Sequence, residues 1–74
     1  MTRTEQALEK LTDIQKVLLY VHRKQLNNLQ MYSVEWAIEL GKIRGYIEGL
    51  RDCDILTDID CRLVKLYFTQ EAQK

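Results

Sequence analysis

Residues 33–52 read SVEWAIELGKIRGYIEGLRD, and two superimposed patterns in that stretch decide the fold. Trp36, Leu40, Ile43, Ile47 and Leu50 recur at alternating spacings of four and three, the seam of a helix packed at a shallow angle. Ser33 is a natural N-cap, and Glu35 puts a negative charge in the first turn where the helix dipole favours it. A helix is therefore predicted over 34–52. Gly41, Gly45 and Gly49, the only glycines of the chain, fall four residues apart in the same stretch. Each costs a helix interior about 1 kcal/mol relative to alanine, so the row calls for a compensating contact.

On a helical wheel the glycines, extended by Ala37, form a ridge opposite the Trp36–Leu50 seam. Glu35, Glu39 and Lys42 occupy one flank and Arg44, Glu48 and Arg51 the other, and both flanks read as solvated. The helix is thus expected to pack on two faces. Its ridge would take the preceding helix or a dimer mate at the short end of the ~8–10 Å interaxial range, or else form the floor of a groove for a foreign helix or flat ligand. A bulky side chain introduced at Gly45 is expected to break that contact.

Upstream, Thr4 can cap a helix in which Ala7, Leu8, Leu11, Ile14, Leu18, Val21, Leu26 and Leu29 recur at helical spacing. One long helix over about residues 4–29 is predicted, roughly 38 Å at ~1.5 Å per residue. Its apolar arc is wider than one core requires. Downstream, Thr57 can cap a third helix over about 58–70, with Asp60 reaching back to the cap and Leu56 stapled on Cys61. This helix too has two apolar sides, Ile59, Leu63 and Leu66 against Cys61, Val64 and Phe68. The chain has no proline and no low-complexity tract, so residues 1–74 read as one domain. The fold class is all-α: an antiparallel helical hairpin plus one helix. Three helices with two apolar faces each cannot cover one another in 74 residues, which points to a dimeric or higher bundle.

Eleven basic residues balance eleven acidic ones, so the whole chain exerts no long-range pull on nucleic acid or an anionic membrane. The longest apolar run, Val17 to Val21, is too short to span a bilayer. With no basic-then-apolar leader pattern at the N-terminus, a cytoplasmic protein is expected. Two cysteines, Cys53 and Cys61, are too few for a disulfide framework and lack metal-ligand spacing; they read as free thiols.

Motifs for chemistry are weak throughout. His22, the single histidine, lies at the edge of an apolar arc and reads as structural. Glu35 and Glu39 form a helical carboxylate pair without the Glu-x-x-His partner of a di-metal bundle. Asp52, Asp54, Asp58 and Asp60 fail as a calcium loop, because Thr57 replaces the turn glycine and Leu63 the bidentate glutamate. No catalytic, cofactor or metal site is therefore expected. A recognition-helix reading of the third helix fails on the two aspartates in its first turn. One patch stands out: Tyr20 with Lys16, Arg23 and Lys24, a candidate contact for a partner protein or, less favoured, nucleic acid.

The resulting expectation is a non-enzymatic protein-interaction or regulatory module acting as a homo-oligomer, of the kind found among small bacterial or mobile-element regulators and inhibitors. Its partners would be a second copy and an unidentified protein. The alternatives are a nucleic-acid-binding regulator using the Lys16, Tyr20, Arg23, Lys24 patch, and an oligomer that sequesters a small ligand between subunits.

Overall fold

Thr12 marks the main departure from the sequence reading. The computed structural model describes residues 1–70, which form four helices and no strand; the last four residues of the expected 1–74 domain lie outside the described residues. The segment expected as one helix over 4–29 is two, α1 (Arg3–Glu9) and α2 (Asp13–Asn27). The Thr12 hydroxyl accepts the Gln15 N–H at 3.1 Å while the Gln15 carboxamide oxygen accepts the Thr12 N–H at 2.9 Å, a reciprocal capping box that starts a new helix. Thr2 and Glu5 make the same pair of bonds, so Thr2 rather than Thr4 caps α1. Between the two helices, Lys10 and Leu11 donate to the carbonyls of Ala7 and Leu8 at 3.1 Å each, closing the last turn of α1.

The remaining helices are α3 (Val34–Asp52) and α4 (Asp58–Gln70), at the bounds expected for them. Ser33 caps α3 by accepting the Trp36 N–H at 3.1 Å. Its C-terminus is a Schellman turn: Ile55 donates to the Leu50 carbonyl and Asp54 to that of Arg51, both at 3.0 Å, with Asp54 left-handed at φ 62°. At the start of α4, Asp60 donates its N–H to the Thr57 hydroxyl at 3.1 Å and its carboxylate accepts the Thr57 N–H at 3.3 Å.

α4 is the hub, packing on each of the other three helices within an envelope of 32 × 24 × 21 Å. It buries Cys61, Val64 and Phe68 and leaves Ile59 and Leu66 about half exposed, so one of its two apolar sides is core and the other is surface. The α3 seam, Trp36, Leu40, Ile43, Ile47 and Leu50, is buried throughout. α1 adds Ala7, the junction after it adds Leu11, and α2 adds Leu19 and Leu26. Because the break at residues 10–12 re-aims α2, the apolar series does not run through it as a single face. Ile14, Leu18 and Val21, part of the apolar arc that is wider than one core requires, face outward.

Candidate interaction surfaces

The glycine row of α3 is open. A Cβ placed at Gly41, Gly45 or Gly49 would meet nothing within 4 Å, so neither α1 nor α2 lies against the ridge, and the close packing expected from the preceding helix is absent. Ala37, Gly41 and Gly45 are exposed, while Trp36, Leu40, Ile43, Ile47 and Leu50 on the other side hold the core. The helix has two faces, but only one is occupied in the chain.

The Lys16, Tyr20, Arg23, Lys24 patch is not a free platform either. Tyr20 turns onto α4: its ring meets Phe68 edge-on at 5.1 Å and Tyr67 at 6.3 Å, and its hydroxyl lies 2.9 Å from that of Tyr67. The Arg23 guanidinium lies 5.0, 5.3 and 5.8 Å from the centroids of Tyr20, Tyr67 and Phe68. A cation enclosed by ring faces and edges stabilises the α2–α4 contact, and it withdraws the two residues best suited to stack on a base. Lys24 remains exposed and Lys16 half-buried, too little for a nucleic-acid footprint.

His22 and Glu39 are brought together across α2 and α3, with Nδ1 2.5 Å from Oε1. Glu39, expected on a solvated flank, is buried, and Lys42 approaches its other oxygen at 3.8 Å. Pairing explains the burial: a carboxyl group leaves water only where a hydrogen-bond partner replaces hydration. Cys53 is exposed and Cys61 buried, both as free thiols. Among the described residues no group of three His, Cys, Asp or Glu side chains could hold a metal ion, and no helix is long and apolar enough to cross a membrane.

The surface that sequence reasoning missed is on α2. Ile14 is 81% exposed and Val17 61%, and with Leu18, Val21 and Asp13 they line an open apolar concavity of about 350 Å³. Their spacing of three and four is that of a helix–helix seam. The signal was present in the sequence as the excess width of the apolar arc, but the break at Thr12 was needed to show which part of it stays outside.

A second surface lies between α3 and α4, where Arg44 and Glu48 face Arg62, Lys65, Leu66 and Thr69 around a cleft of about 260 Å³. Lys65 donates to Glu48 at 3.0 Å across it. Lys65, through that hydrogen bond and its charge, holds the Glu48 carboxyl below the usual carboxylate range, with Arg51 and Arg44 adding to the effect. Comparison with protein-family models, curated proteins and solved structures finds no match to this chain.

Proposed function

We propose that the protein is a non-enzymatic interaction module of the cytoplasm that pairs with a second copy of itself through α2. The carrying observation is the exposed seam of Ile14, Val17, Leu18 and Val21. Four branched apolar side chains on one helical face gain about 1.5–3 kcal/mol each when fully buried, a driving force that a monomer leaves unused. In this reading α2 and α3 form the hairpin of each subunit, and regulation acts through which surfaces the paired state covers or presents.

Charge sets the direction of pairing. Asp13 and Lys24 lie at opposite ends of α2 and, at about 100° per residue, only about 20° apart around it, on the same flank of the seam. An antiparallel pair centred between Val17 and Leu18 sets Ile14 against Val21 of the second copy. Asp13 then lies within about 3 Å along the axis of the level of that copy's Lys24, at about 1.5 Å rise per residue. A parallel pair would set Asp13 level with the other copy's Asp13 and about 16 Å along the axis from its Lys24, so the attraction would be lost. A helix of 15 residues offers less than the ~800 Å² per partner of a standard interface, so the dimer is weak and concentration-dependent.

Light scattering over a concentration series tests this reading. A mass rising from one chain to two, and a Val17→Glu variant that stays monomeric with unchanged helicity, are the expected results. Asp13→Lys should weaken association and Asp13→Lys combined with Lys24→Asp should restore it. A wild-type chain monomeric at every concentration would sink the proposal.

A further inference from the structure

The cleft between α3 and α4 concentrates positive charge in a molecule that has none overall. Arg44, Arg62 and Lys65 against the single carboxylate of Glu48 leave a formal charge of two units. The four groups are not equivalent. Lys65 is committed to Glu48, and the neighbouring Arg51 lies 3.6 Å from Asp52 and 3.7 Å from Asp58. Arg44 and Arg62 are exposed, one on each wall, and among the described residues neither lies within ion-pair distance of a carboxylate.

The helical register explains why these groups converge. Arg44 and Glu48 are one turn apart on α3, and Arg62, Lys65, Leu66 and Thr69 follow the spacing of one face of α4. Thr69, buried at the cleft, already donates its hydroxyl to the Lys65 carbonyl at 2.7 Å, which leaves the guanidinium forks as the free donors. Leu66, half exposed, adds an apolar contact beside them.

We infer that this cleft binds a small-molecule phosphate monoester, its phosphoryl group held between Arg44 and Arg62 and its organic body against Leu66. A monoester carries nearly two negative charges at neutral pH and matches the formal charge of the cleft, whereas a carboxylate would neutralise half of it. Planar guanidinium groups offer paired N–H donors suited to phosphoryl oxygens. The volume of about 260 Å³ falls just below that of drug-sized pockets, which fits a phosphoryl group with a sugar-sized portion of ligand enclosed. The site uses no residue of the α2 seam, so it stands or falls separately from self-association.

The test is an amide NMR titration of the full chain with adenosine monophosphate, with adenosine and inorganic phosphate as separate arms. Saturable shifts at Arg44, Glu48, Arg62 and Thr69 with the monophosphate, and none with adenosine, are expected. Arg62→Gln should weaken binding about tenfold or more while the remaining spectrum stays folded, as the loss of a charged hydrogen bond predicts. Arg3→Gln, which removes an exposed cation on α1, should leave the affinity unchanged. Inorganic phosphate should shift the same residues more weakly, because it lacks the part that meets Leu66. The proposal is overturned by no response at millimolar monophosphate, by shifts shared equally with Arg3 and Lys24, or by Arg62→Gln binding as the wild type does.

Discussion

Lys10 and Asp60 stand fifty positions apart in the chain, yet the ammonium of one contacts the carboxylate of the other. Asp60 also closes the capping box with Thr57, so a single carboxylate starts α4 and ties it to the junction of α1 and α2. Lys10 is the main cause that lowers its pKa from the ordinary 3.8, Thr57 adds to it, and partial burial opposes both.

A carboxyl with a depressed folded pKa stabilises the fold above its unfolded pKa and loses that contribution as pH falls through the folded value. The contribution of Asp60 is therefore complete at neutral pH and fades progressively below about pH 3.8, as pH falls toward and through the depressed folded value. Asp60→Asn keeps an oxygen for the Thr57 N–H but removes the charge, and should cost about 0.5–1 kcal/mol at pH 7 through the ion pair and the helix dipole. Urea unfolding at pH 7 and at pH 2 should show a larger difference from wild type in the first than in the second.

Asp54 holds the left-handed position of the turn that ends α3. Aspartate tolerates that conformation, but glycine adopts it without a Cβ penalty. Asp54→Gly is expected to stabilise the chain by about 0.5–1 kcal/mol, and Asp54→Val to destabilise it by more. Thermal or urea midpoints check the sign.

The open glycine row gives a sharp contrast with the close packing that its sequence suggests. With nothing within 4 Å of a Cβ at Gly45 or Gly41, alanine at either position should raise stability by about 1 kcal/mol through helix propensity alone. Loss of stability on Gly45→Ala would instead require a neighbour pressed against that backbone.

Tyr20 and Tyr67 share a hydroxyl hydrogen bond at 2.9 Å on a half-exposed surface. Tyr20→Phe and Tyr67→Phe should each cost about 1 kcal/mol, and the double variant should cost less than their sum. An additive pair, measured by urea unfolding, would show that the two rings contribute only by packing.

Much of the architecture is legible in the residues. Ser33, Thr57 and Asp60 announce the starts of α3 and α4, because a cap is a contact between residues three apart and carries its own signature. The same signature stands at Thr2–Glu5 and Thr12–Gln15, where a continuous apolar series obscures it. Periodicity alone could not separate a helix that bends around a core from two helices that meet at an angle. The α3–α4 cleft was harder still: Arg44 and Arg62 are ordinary surface cations until the packing of α3 on α4 places them around one cleft.

The sequence by itself determined that this chain is helical, where α3 and α4 begin and end, and that the Trp36–Leu50 seam is core; these follow from short-range hydrogen bonding and from the period of apolar residues. The tertiary structure decided which of two apolar faces on each helix found a partner. It placed Leu19 and Leu26 inside and Ile14 and Val17 outside, turned Tyr20 and Arg23 onto α4, and left the glycine row bare. Helix periodicity marks a face as apolar, but the direction in which that face points depends on the angles at Thr12 and at the turns, which are set by the packing of the whole chain.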